Sequence, residues 1–261
     1  MKSILSVCIL FAIYVAHSPA QTTIDPDNKK VWKLVWKDEF KYKKRSDLLK
    51  VWESQNGGDH RPSILCSRWE ENIEVGNGVV RLVNRKESRG GKDWTSANFW
   101  TRREFQYGYY ECRYKYAPIT GTNNSFWLWT GAGPNWWFPG NTNPEKRFEI
   151  DVNEGHYPDK VNICVHKWTD NIVAGASSCG KFQYENIDFS KEYHLFGLEW
   201  TKDELIYYLD RKEIRRVKNE FCLSPARIFL SLALTLWAGE VTDDVDGTYM
   251  EVDYVRVYNR K

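Results

Sequence analysis

Phe148-Glu149-Ile150-Asp151-Val152-Asn153-Glu154 carries three acids in six residues on an apolar backing. Read as a β-strand, its side chains alternate between faces, which puts Phe148, Ile150 and Val152 on one side and Glu149 and Asp151 on the other. Glu154 has the wrong parity for the acidic side, being five positions from Glu149. A β-bulge at Val152 or Asn153 would re-phase the strand and return Glu154 to the face of the other two; such insertions are favoured beside active sites.

The same two-sided pattern spreads outward from this segment. Residues 125–130 split into Phe126 and Leu128 against Ser125, Trp127 and Trp129. Residues 230–237 split into Leu230, Leu232, Leu234 and Leu236 against Ser231, Ala233, Thr235 and Trp237. Short alternating runs recur at 72–75, 79–84, 98–103, 109–116, 161–168, 194–200, 204–209 and 250–258, separated by turn signals such as Gly57-Gly58-Asp59, Gly76-Asn77-Gly78 and Gly90-Gly91-Lys92. Sustained helical periodicity is absent, the best stretch being 44–53. The pattern predicts an all-β fold, a jelly-roll sandwich of two antiparallel sheets with a concave cleft. Outward tryptophans on several strands line a groove that stacks on rings, and sugars are the natural ring ligand of an exported protein.

Residues 1–20 read as a secretory signal peptide, with Lys2, an apolar run from Ile4 to Ala16 and the small-residue end Ser18-Pro19-Ala20. Residues 21–261 are then expected to form a single catalytic domain, secreted or periplasmic. No later apolar run approaches the length of a membrane span. A formal net charge of +2 on 261 residues gives no reason to expect nucleic acid as a partner. The aromatic content is high, at 13 Trp, 15 Tyr and 12 Phe. Cys66, Cys112, Cys164, Cys179 and Cys222 follow the signal in odd number and without metal-type spacing, so at least one thiol is free. A Cys164–Cys179 disulfide is allowed.

Three carboxylates on one wet face repel one another and raise at least one pKa, keeping a protonated acid available near neutral pH. Glycosidic hydrolysis with retention needs one ionised carboxylate as nucleophile and one protonated carboxyl on the leaving oxygen, about 5–5.5 Å apart. Glu149 and Glu154 fit this pair, with Asp151 between them. The plainer alternatives are an exposed acidic strand or a calcium-binding surface.

At this segment the sequence resembles glycoside hydrolase family 16, whose hallmark is Glu-x-Asp-x-x-Glu on a bulged strand. The likeness extends through Trp36-Lys37-Asp38-Glu39-Phe40, Tyr107-Gly108-Tyr109-Tyr110-Glu111-Cys112-Arg113, Ser125-Phe126-Trp127-Leu128-Trp129 and Val252-Asp253-Tyr254-Val255-Arg256-Val257-Tyr258, in the family's order. The resemblance implies retaining endo-hydrolysis of a β-linked polysaccharide, with no cofactor for catalysis. It makes Glu149 the nucleophile, Glu154 the acid/base, Asp151 the helper, Trp127 a sugar platform and His166 a cleft histidine. It also implies a structural calcium near Asp253 in many relatives. A monomer is the expectation.

The entry to the acidic motif, Arg147-Phe148-Glu149, and the Asn124-Ser125-Phe126-Trp127 strand resemble the branch acting on red-algal galactans: porphyran, agarose or carrageenan. Sulfated galactan would favour arginine in the cleft, because its fork binds sulfate oxygens in pairs. Arg68 beside Trp69, and Arg102 on the strand of Asn98 and Trp100, are the expected candidates. Trp129, Trp136, Trp137, Trp237 and His156 complete the expected substrate contacts. An endo-β-1,3-glucanase and a non-catalytic carbohydrate-binding jelly roll are the alternatives; an intact Glu149 and Glu154 pair argues against the latter.

Overall fold

A computed structural model describes residues 22–59, 61–130, 147–168 and 174–261. Two large antiparallel sheets face one another. The first runs, in spatial order, β15 (Lys212–Lys218), β14 (Glu204–Leu209), β13 (His194–Trp200), β8 (Gly108–Lys115), β17 (Tyr249–Arg260), β5 (Val79–Val83) and β4 (Ile73–Gly76), with β1 (Trp32–Asp38) also paired to β17. The second runs β12 (Ala174–Gln183), β11 (Lys160–Trp168), β10 (Phe148–His156), β9 (Thr122–Trp129), β16 (Arg227–Leu234), β7 (Asn98–Thr101) and β2 (Trp52–Ser54). Strands β3 (Cys66–Arg68) and β6 (Trp94–Ser96) make a small parallel pair. The all-β sandwich expected from alternation is the fold observed. Within 44–53 only Arg45–Leu48 is helical. Among the described residues no helix is long and apolar enough to cross a membrane.

The core lies between the sheets and is built by the inward residues of alternating strands. Phe126, Leu128, Phe148, Ile150, Val152, Leu230 and Leu232 from the second sheet meet Tyr110, Tyr114, Phe196, Leu198, Val255 and Val257 from the first. Each large apolar side chain buried this way contributes about 1.5–3 kcal/mol. Several buried rings also satisfy their polar atoms. Trp52 Nε1 donates to Asp38 Oδ2 at 2.7 Å, and the same carboxylate accepts from Tyr42 Oη and the Phe40 backbone N–H. Glu111 on β8 accepts from Tyr109, Tyr254 and Arg211. The Trp36–Phe40 and Tyr107–Arg113 motifs therefore supply buried carboxylates: Asp38 links β1 of the first sheet to β2 of the second, and Glu111 ties elements of the first sheet together.

Several strands escape the alternation signal. β12 and β15 end their sheets: one is rich in Gly, Ala and Ser, the other in Lys and Arg, and neither covers two apolar faces. At the other end of the alternation, β16 stops at Leu234 and a 3-10 turn, Leu236–Ala238, follows. Leu236 is accordingly 64% exposed rather than part of an inward leucine row. Between β4 and β5, Asn77 and Gly78 both take positive φ, the geometry a two-residue hairpin loop demands.

Candidate active site

The bulge in β10 is present. Against β9, Asp151 pairs with Trp127 while Asn153 pairs with Phe126, so Val152 is the extra residue. Val152 packs in the core, and Asn153, fully buried, donates through Nδ2 to the Tyr114 and Tyr116 hydroxyls at 2.6 and 2.7 Å. Two consecutive residues therefore point inward, and Glu154 emerges on the side of Glu149 and Asp151. Gly155 follows because any Cβ there would lie 2.2 Å from the Tyr116 ring.

Strand register converts this into rows across the concave sheet. Asn98, Ser231, Ser125, Glu154 and Asn162 form one row. Trp100, Phe229, Trp127, Asp151, Cys164 and Cys179 form the next. Arg227, Trp129, Glu149, His166 and Ser177 form the third. Each acid thus occupies its own row, flanked by a different set of neighbours.

The three acids line a single cleft with Arg61, Arg68, Asn98, Trp127 and Trp237. Trp168 Nε1 donates to Glu149 Oε2 at 3.1 Å, and Asn123 Nδ2 donates to Glu154 Oε1 at 2.6 Å. His166 Nε2 lies 3.4 Å from Asp151 Oδ2. Burial pushes the Glu149 carboxyl well above the usual range. The Asp151 charge adds to the shift, as does Glu154, while His166 and Arg61 oppose it. Asp151 is raised likewise, first by burial and then by Glu154; a hydrogen bond with Glu149 offsets part of this. The cluster therefore binds protons more tightly than separate carboxylates do.

Of the expected substrate contacts, Arg68, Asn98, Trp127 and Trp237 reach the cleft. Trp127 is half-buried, stacks on Trp129 and donates from Nε1 to Ser231 Oγ. Trp237 is 47% exposed. Arg68 is buried, with Nη1 donating to the Cys66 carbonyl at 3.3 Å and its Nε without a partner.

Other expected contacts lie elsewhere. Arg102 reaches back to the Leu49 carbonyl and pairs with Glu53, away from the cleft, because that carboxylate lies on neighbouring β2. Trp100 and Trp129 face the cleft side but are buried in a cluster with Phe229; Trp100 Nε1 donates to Glu53. Trp69 is half-buried beneath the Arg89 guanidinium, 3.7 Å from its ring, and does not line the cleft. His156 also lies off the cleft lining, beside Asn162; burial, then Lys160 and Lys181, depress its pKa to about 4. Trp136 and Trp137 lie outside the described residues. Asp253 is ion-paired with Arg113 and belongs to no cluster of three or more acidic, histidine or cysteine side chains among the described residues.

Sequence reasoning missed Arg61, Asn123 and Trp168. Trp168 shares parity with His166 and Asn123 with Trp127, so both were accessible to the alternation argument. Arg61 sits in a loop with no periodicity; its Nε and Nη2 clamp Asp59 at 3.0 and 2.7 Å.

A sequence profile of the family described as Glycosyl hydrolases family 16 matches residues 62–256. A beta-glucanase of Rhodothermus marinus is 28% identical over 253 residues, covering 87% of this chain and 85% of that protein. A beta-glucanase of Acetivibrio thermocellus is also 28% identical, with 75% of this chain aligned to 56% of that longer protein. Among solved structures, the laminarinase catalytic domain of Thermotoga maritima superposes with a TM-score of 0.71 at 27% identity, covering 87% of this chain and 98% of that one. These relatives are named as glucanases and a laminarinase, not as red-algal galactan hydrolases. A match of this extent on a shared fold places the chain in glycosyl hydrolases family 16, and so among the glycoside hydrolases.

Proposed function

We propose that the chain is a retaining endo-β-1,3-glucanase, with Glu149 as nucleophile and Glu154 as acid/base. The observation that carries the catalytic assignment is the β10 bulge, which delivers Glu154 to the face of Glu149 and Asp151. The glucan preference rests on similarity to beta-glucanases and laminarinases.

In the first step Glu149 attacks the anomeric carbon while Glu154 protonates the departing oxygen. In the second, Glu154 deprotonates the water that releases the sugar from Glu149. Glu149 must be ionised to attack; burial and the Asp151 charge oppose that ionisation, while His166 and Arg61 favour it. His166, whose Nε2 lies 3.4 Å from Asp151 Oδ2, stands beside both Asp151 and Glu149. Trp127, between the rows of Glu149 and Glu154, offers the face on which the sugar stacks.

Galactan remains the second reading, because Arg68 and Arg61 both line the cleft and suit an anionic or hydroxyl-rich substituent. Reducing-sugar release measured in parallel on laminarin, mixed-linkage β-glucan, porphyran, agarose and carrageenan decides between them. Laminarin is expected to be cleaved fastest. Cleavage confined to a red-algal galactan would overturn the glucan assignment, and no release from any would leave a binding protein. Proton NMR is expected to show the β-anomer first; an α-product would reject the double displacement.

A further inference from the structure

Cys164 and Cys179 are directly opposed across β11 and β12 and form a disulfide on the cleft side of the sheet. Cys164 shares parity with His166 and Trp168, so the bridge lies in the Asp151 row beside the catalytic face. Cys179 is exposed on the edge strand, where a reductant can reach it. His166 turns its Nδ1 toward this bridge, 3.9 Å from Cys164 Sγ and 2.6 Å from Ser177 Oγ. Its other nitrogen faces Asp151. One ligand atom from each of Cys164, His166 and Cys179 lies within 4.8 Å of the others.

We propose that reduction of Cys164–Cys179 opens a binding site for a thiophilic divalent cation of the zinc class, formed by Cys164 Sγ, Cys179 Sγ and His166 Nδ1. Two thiolates and one imidazole are a familiar three-ligand zinc set that leaves the fourth tetrahedral position to solvent. A carboxylate behind the distal nitrogen of a ligating histidine is the usual supporting contact, and Asp151 occupies that place. The redox step is a two-electron reduction by a thiol or a phosphine. With a phosphine, one water supplies the oxygen of the phosphine oxide and its two protons end on the two sulfurs. Each thiol then loses its proton as its sulfur binds the metal. The oxidised bridge offers no thiolate, so the site exists only in the reduced protein.

Cobalt(II) is the probe, because thiolate-to-cobalt charge transfer absorbs in the near ultraviolet and reports sulfur ligation independently of activity. The full chain is reduced with a phosphine, freed of it without oxygen, and titrated with Co2+. The reduced parent is expected to develop the near-ultraviolet band with one equivalent and to lose it when Zn2+ is added. The oxidised protein and reduced Cys179→Ser are expected to show none. Asp151→Asn is expected to weaken binding about 10–100-fold while keeping the band. Cys66, Cys112 and Cys222 are buried, so Cys179→Ser separates the site from the remaining thiols. No band in the reduced parent, or a band undiminished in Cys179→Ser, would overturn the proposal.

Discussion

Val152 and Asn153, neighbours in the chain, point to the same side of β10, one into the apolar core and the other onto the hydroxyls of Tyr114 and Tyr116. That shared direction is the physical content of the bulge, and it sets the direction of Glu154. A polar anchor inside a sandwich is costly unless satisfied, and here the Nδ2 group serves two buried tyrosines at once, while Oδ1 has no partner among the described residues.

Replacing the anchor is therefore expected to harm both stability and turnover. Asn153→Leu keeps the approximate volume but leaves the two hydroxyls without their donor. A loss of about 1–3 kcal/mol is expected in urea unfolding. A fall in kcat is expected with it, as Glu154 loses its aim. Parent-like values for both would mean that the bulge is held by other contacts.

With Glu149 proposed as nucleophile and Glu154 as acid/base, Glu149→Gln and Glu154→Gln should each lower kcat by about 100-fold or more. Their thermal unfolding should stay cooperative. A variant of either kind retaining near-parental turnover on the best substrate would remove that residue from its role.

Stability against pH has a definite sign. Glu149 has a raised pKa in the folded state, so between its unfolded value, about 4.3, and the raised one the native state binds more protons than the unfolded state. Stability contributed by this site is present at low pH and is lost as pH rises through that window. Glu149→Gln mimics the protonated carboxyl and removes the loss. Its Tm should match the parent near pH 4 and exceed it at pH 7–8. A lower Tm for the variant at pH 8 would contradict the shift.

Burial separates the tryptophans by consequence. Trp129 is 3% exposed and packs with Trp100 and Phe229, so Trp129→Ala should cost about 3–5 kcal/mol. Trp237 is 47% exposed and lines the cleft, so Trp237→Ala should leave unfolding nearly unchanged. Its effect should appear in KM for long substrates. Calorimetry and kinetics on the two variants test the division; similar stability losses would erase it.

Alternation along single strands is local information, and it was enough to divide Phe148, Ile150 and Val152 from Glu149 and Asp151, to indicate a sandwich, and to require an inserted residue before Glu154. Side-chain parity depends only on backbone pleating, which the chain carries wherever the strand goes. Which residues share a row is set by register between strands far apart in sequence, as with Asn98, Ser231, Ser125 and Glu154. Only the folded sheets therefore decided that Arg102 turns to Glu53, that Trp100 and Trp129 are covered while Trp127 and Trp237 meet solvent, and that Cys164 finds Cys179 beside His166. Those outcomes depend on what packs alongside, and a strand read alone contains no neighbours.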